Sequence, residues 1–139
     1  MYFLRTEKSF DSAHFLKGYE GKCSNIHGHR WRVVVEIKDE KLKEEGPQRG
    51  MLVDFSDLKK ALKEECNKFD HSLIYEKDSL KAATIEALKD EEFVLNELPF
   101  IPTAENFSKY FYDVMKKKGF NVNRIEVYET PNNYAAYEE

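Results

Sequence analysis

Between Arg30 and Lys38 the chain alternates. Trp31, Val33, Val35 and Ile37 take every second place, separated by Arg32, Val34 and Glu36. Apolar residues at a period of two mark a strand with one buried and one wetter face, and this is the clearest such pattern in the chain. The strand starts near His29, directly after the triplet His27-Gly28-His29. In an extended segment, side chains two residues apart share a face, so His27 and His29 present two imidazoles side by side. An earlier run, Tyr2 to His14, is rich in aromatic and β-favouring residues and free of Pro and Gly, so it reads as a strand that ends on a third histidine. The stretch Lys17 to Gly28, with Gly18 and Gly21, is the loop between the two. Pairing them antiparallel brings His14 close to His29.

The rest of the chain supplies two long helices and two more strands. Lys38 to Gly50 is charged, contains Gly46-Pro47 and reads as an exposed loop. Asp54 or Ser56 then caps a helix with Leu58, Leu62 and Cys66 on one stripe, ending near Phe69. In Tyr75 to Glu97, the segment Lys81 to Lys89 favours helix, but Asp90 to Glu92 point to a solvated insert. Thr103 caps the second long helix. Its apolar side is Phe107, Tyr110, Phe111, Val114 and Met115, and Lys116 to Gly119 end it. Val122 to Glu129 and Tyr134 to Glu138 are strands on either side of a turn at Pro131-Asn132-Asn133. The expectation is a single α+β domain over residues 1–139: a four-stranded antiparallel sheet with two long helices on one face.

Composition removes several function classes. No apolar run approaches the ~20 residues that span a bilayer, and Met1 to Arg5 lacks the features of a signal peptide. Two cysteines make no disulfide framework, so the chain reads as cytoplasmic with free thiols. A net charge of −4 gives no pull toward nucleic acid or anionic membrane.

The chemistry lies in a few side chains. Only four histidines occur, and three of them, His14, His27 and His29, fall in the first 29 residues. Three neutral imidazoles with an open fourth position make a catalytic zinc site. Cys23 lies four residues before His27. Beside a metal and histidines a thiol is favoured as thiolate and acts as base or nucleophile. As a fourth ligand it would instead close the site in the structural manner, giving a zinc-stabilised binding module with no catalysis. Spacing leaves both readings open. Cys66 belongs to the helix stripe and reads as core. In Asp70-His71 the carboxylate either orients the imidazole for proton transfer or is a charge at a helix end. Glu129, at a strand end, either accepts two N–H donors of a heterocycle or is solvated. Glu105 fits the helix dipole. Arg30, Arg32 and Lys116 to Lys118 read as solvated charge, and no Gly-rich phosphate loop is present.

Taken together these positions resemble the family of 6-pyruvoyltetrahydropterin and 6-carboxytetrahydropterin synthases. The matching stretches are Phe10-Asp11-Ser12-Ala13-His14, Cys23 through His29, Leu52-Val53-Asp54-Phe55, Phe69-Asp70-His71, Pro102-Thr103-Ala104-Glu105-Asn106 and Val127 through Pro131. They come in the family's order across almost the whole chain. Three residues separate Cys23 from His27, which resembles the 6-carboxytetrahydropterin synthase branch of queuosine and deazapurine synthesis. The pyruvoyl branch usually has a longer gap.

The resemblance implies zinc on His14, His27 and His29, Cys23 as base, and His71, oriented by Asp70, as second acid–base group. It also implies Glu129 as anchor of the pterin ring, with Thr103 and Glu105 near it. The implied substrate is 7,8-dihydroneopterin triphosphate. The products are 6-carboxy-5,6,7,8-tetrahydropterin, acetaldehyde and triphosphate, or 6-pyruvoyltetrahydropterin if the chemistry stops earlier. The implied architecture is the tunnelling fold, a homo-oligomer whose sheets join into a barrel with active sites between subunits.

Overall fold

A computed structural model describes all 139 residues. The two predicted N-terminal strands form its spine. β1 (Tyr2–His14) and β2 (His27–Asp39) pair antiparallel without a break, from Tyr2 opposite Asp39 to His14 opposite His27. The register puts Phe10 opposite Trp31, so the alternating apolar residues of both strands meet on one face.

Two helices cover that face. α1 (Phe55–Asn67) is capped by Asp54, whose carboxylate accepts the Ser56 N–H at 2.7 Å, and it buries Leu58, Leu62 and Cys66. α3 (Ala104–Lys117) is capped by the Thr103 hydroxyl, which accepts the Asn106 N–H at 3.2 Å. It buries Phe107, Phe111 and Met115 against Trp31, Val33, Ile125 and Val127. Phe107 is the hub of this layer. Its ring lies 5.2 Å from Trp31, 5.4 Å from Phe69 and 6.1 Å from Phe111, edge-on or tilted as aromatic quadrupoles prefer. Cys66 is wholly buried there, and burial pushes its thiol up to about 12.

The α+β class and the helices on one face hold, but the sheet is larger and mixed. With β3 at Leu73–Glu76, β4 at Leu95–Leu98, β5 at Val122–Thr130 and β6 at Asn133–Tyr137, it has six strands in the order β4-β3-β1-β2-β5-β6. β5 and β6 continue the antiparallel meander. The two extra strands straddle the two ends of Tyr75 to Glu97, the segment expected to be a solvated insert. β3 (Leu73–Glu76) and β4 (Leu95–Leu98) add in parallel beside β1, joined by the third helix, α2 (Ala82–Asp90). Parallel neighbours need such a crossover. Each of these strands is only four residues long, too short for a pattern to stand out against the charges that flank it. α2 buries no residue, which is why its surroundings read as solvated.

The opposite face of the sheet is charged. Arg30 pairs with Asp11 at 3.0 Å and Arg32 with Glu7 at 3.0 Å, and the Arg32 guanidinium also lies 3.8 Å from the centre of the Tyr128 ring. These arginines are partnered rather than free.

Phe107→Ala should cost ~3–5 kcal/mol of stability, as a large truncation at a fully buried site does. Glu86→Ala, on the exposed side of α2, should stay within ~0.5 kcal/mol. Urea unfolding of both variants checks the pair.

Candidate metal and active site

The side chains of His27 and His29 have the same parity as Trp31, Val33 and Val35, so the histidines are the polar end of the core stripe. His14 joins them from β1. The ligand nitrogens of the three lie within 4.8 Å of one another. Trp31 floors the cluster, with ring centres 4.8 Å from His14 and 5.5 Å from His29.

Each ring is turned by a partner. His14 Nδ1 lies 2.7 Å from the Pro102 carbonyl, and His27 Nδ1 lies 2.7 Å from the Asn25 carbonyl. A carbonyl oxygen only accepts, so both Nδ1 atoms carry the proton and both Nε2 atoms keep a lone pair. Those two Nε2 atoms face each other at 3.0 Å. Two lone pairs at that distance repel unless a cation is bound between them. His29 Nε2 is buried without a hydrogen-bond partner, and the Glu129 carboxylate is 3.9 Å away, too far to serve as one. Three converging neutral nitrogens suit a divalent transition metal such as zinc. His14 is 1% exposed. Burial, followed by the charges of His27 and His29, lowers its pKa from 6.5 to about 4, which keeps the imidazole in the neutral form that a metal requires.

Cys23 is half-buried on a short 3-10 turn, Lys22–Ser24, in the loop between β1 and β2. It is not a member of the ligand cluster, which comprises histidines alone. The reading in which it closes a four-ligand structural site therefore finds no support in the geometry.

Glu129 is half-buried for a traceable reason. The β2–β5 ladder ends at Arg32 opposite Tyr128, and β5 shifts register against β6 between Tyr128 and Thr130. Glu129 is the extra residue of that bulge, a device that re-aims a side chain. Burial, then the nearby Glu105 carboxylate, raises its pKa; His27 and the Ala104 N–H at the start of α3 act the other way. Glu105 itself is exposed, yet it borders a 140 Å³ cavity with Glu129, Ala104 and Asn133. Where β5 leaves β2, a larger cleft of about 590 Å³ opens, lined by Gly28, His29, Arg30, Glu129 and Thr130.

Asp70 and His71 are apart from the triad. Asp70 accepts the Asp11 N–H at 2.9 Å through one oxygen and meets His71 Nδ1 at 2.9 Å through the other. The backbone hydrogen bond from Asp11, then the one from His71, lowers the Asp70 pKa, and Asp70 in turn raises that of His71. His71 has a positive φ of 54° and a side chain 80% exposed. It lines a separate apolar cavity of about 490 Å³ with Ala13, Ile26, Leu88 and Phe93.

One chain therefore assembles the histidines, with Glu129 beside His29 and Glu105 beside Glu129, and leaves the Asp70–His71 pair exposed. The partners that sequence reasoning missed are the carbonyls of Pro102 and Asn25, the Asp11 N–H and the Trp31 floor. Backbone groups carry no residue signature, and Trp31 reads as plain core.

Residues 3–139 match the model of the family described as 6-pyruvoyl tetrahydropterin synthase. The 6-carboxy-5,6,7,8-tetrahydropterin synthase of Haemophilus influenzae is 34% identical over 145 residues, covering 100% of both chains. That of Synechocystis sp. is 32% identical over 80% of this chain and 94% of its own. Among solved structures, the 6-pyruvoyl tetrahydropterin synthase of Plasmodium falciparum superposes with a TM-score of 0.70 at 20% identity, covering 99% of this chain and 97% of its own, a likeness of fold.

Metal-free protein should lose stability as pH falls from about 6.5 to 4. In that window the unfolded chain protonates His14 and the folded chain resists, so the contribution is complete above 6.5 and gone below 4. At ~1.4 kcal/mol per pKa unit the loss is roughly 3 kcal/mol. Urea titrations of chelator-treated protein at pH 7 and pH 4.5 test it, with His14→Phe expected to flatten the dependence.

Proposed function

The chain belongs to the 6-pyruvoyl tetrahydropterin synthase family, and on that premise we propose that it is a zinc-dependent lyase acting on 7,8-dihydroneopterin triphosphate. The products are 6-carboxy-5,6,7,8-tetrahydropterin, acetaldehyde and triphosphate. The observation that carries this reading is the full-length identity to a 6-carboxy-5,6,7,8-tetrahydropterin synthase. The convergent, lone-pair-bearing imidazoles of His14, His27 and His29 support it with a site suited to the metal.

Bound there, zinc supplies Lewis acidity that makes the C–H and O–H bonds of the substrate's vicinal diol easier to ionise. Each protein group then has one task. The Cys23 thiolate removes the side-chain proton. His71, held by Asp70 with its other ring nitrogen free, exchanges the second proton. Glu129 accepts two N–H donors from the guanidine-like edge of the pterin, a charge-assisted contact that offsets the burial of the carboxylate. Glu105 lies beside it at the start of α3. The Thr103 oxygen is used as a helix cap, but its proton remains free to donate to the ring.

His71 is largely exposed and lines a cavity other than the cleft beside His29, which fits a homo-oligomer in which one subunit lends its Asp70–His71 pair to the next. The two edge strands, β4 and β6, would join between copies in a closed barrel, removing edges that otherwise invite aggregation. Nothing in the reaction calls for nucleic acid, and no helix is long and apolar enough to cross a membrane.

Zinc-loaded protein incubated with 7,8-dihydroneopterin triphosphate should yield 6-carboxytetrahydropterin and acetaldehyde by mass spectrometry. Cys23→Ala should lower turnover by ~10²–10⁴-fold, the usual worth of a positioned base. Release of 6-pyruvoyltetrahydropterin instead would assign the chain to the other branch. Glu129→Gln removes a charged acceptor worth ~1.5–3 kcal/mol, so kcat/KM should fall by roughly 10- to 100-fold, chiefly through KM.

A further inference from the structure

The loop between β1 and β2 is bracketed by two members of the histidine cluster, His14 before it and His27 after it. Within the loop, the Leu16 N–H donates to the Cys23 carbonyl at 2.9 Å, tying the Cys23 turn back to the end of β1. Ser24 closes the turn on the Gly21 carbonyl through its N–H at 3.2 Å and its hydroxyl at 2.8 Å. The Tyr19 ring lies over the start of this turn, so close that a Cβ on Gly21 would sit 2.7 Å from it.

Asn25 joins this turn to the histidines. Its backbone N–H and its side-chain amide both donate to the Lys22 carbonyl, at 3.0 and 3.2 Å. Its own carbonyl accepts the His27 Nδ1–H at 2.7 Å. One residue thus holds the Cys23 turn with its donors and a metal-type imidazole with its acceptor. The turn contains no fully buried residue, so hydrogen bonds rather than packing fix its place. Exposed hydrogen bonds exchange readily with water and persist where another constraint holds one partner still. A metal on His27 is such a constraint.

We propose that Asn25 is a positioning residue that couples metal ligation at His27 to the placement of Cys23. The proposal rests on the metal site of the preceding reading and not on the reaction. Coupling of this kind is reciprocal and amounts to a few-fold or more in the linked property.

Alkylation by iodoacetamide reads it out, because Cys66 is wholly buried and stays silent while Cys23 reacts. In the wild type, saturating zinc should change the Cys23 alkylation rate by at least ~5-fold. In Asn25→Ala, which loses the side-chain bond to Lys22, the change should shrink to within about twofold while zinc still binds one per chain. Asn25→Ser, which keeps a short donor, should recover most of the response. An Asn25→Ala variant with the full zinc response overturns the proposal. So does a wild type whose Cys23 rate ignores bound zinc. A correctly folded variant that no longer binds zinc overturns it as well, since Asn25 would then serve the ligand alone. Failure of the wild type to bind zinc would instead remove the metal reading itself, and the coupling with it. Loss of the proposed lyase activity with zinc response intact would leave the coupling standing.

Discussion

The register of β1 on β2 is the constraint on which the rest depends. Thirteen consecutive pairs align Phe10 with Trp31, Ser12 with His29 and His14 with His27. Because side chains alternate between faces, a slip by one residue would turn every apolar residue of one strand to the charged side and scatter the histidines. The same hydrophobic pattern that drives the hairpin to zip therefore also collects the three histidines. The site is not added to the fold; it is the place where the apolar stripe of the core turns polar.

That continuity accounts for the electrostatics. At the end of a core stripe His14 and His29 are stripped of water by the residues beneath them, Trp31 above all, and burial lowers the pKa of both. The carbonyls of Pro102 and Asn25 come from two different loops and select the ring nitrogen that remains basic. The carboxylates arrive by other means: Glu129 through a bulge in β5, Glu105 through the first turn of α3. A rigid hairpin, a broken ladder and a helix terminus thus meet at one end of the sheet. Asp70 and His71 are held apart from this convergence, with the largely exposed His71 lining another cavity.

The sequence made much of this legible and the reasons are uneven. β-favouring composition free of Pro and Gly marked β1, alternation marked β2, and the caps Asp54 and Thr103 marked both long helices, because those signals are local. The histidine cluster was legible because parity on a strand dictates which side chains share a face. β3 and β4 were not. Four residues in a charged segment carry little pattern, and their pairing, β3 on β1 and β4 on β3, is decided by contacts that no local signal encodes. Glu129 could be named as a strand-end carboxylate, but its half-burial follows from the bulge, a consequence of how β5 meets both neighbours. The outward orientation of His71 was equally hidden, since a single left-handed residue after a helix gives no periodicity to read.

α2 buries nothing, yet it spans the crossover that lets β4 lie parallel to β3. Its work is that of a strut whose length matters and whose surface is nearly free. The demands of stability therefore press only weakly on the exposed positions of this excursion, which can be recoloured or decorated so long as its span is kept. For the same reason its exposed side, where Glu86 lies, is the natural place to graft a fluorophore or an affinity handle, while Leu88 lines the His71 cavity with Ala13 and Ile26.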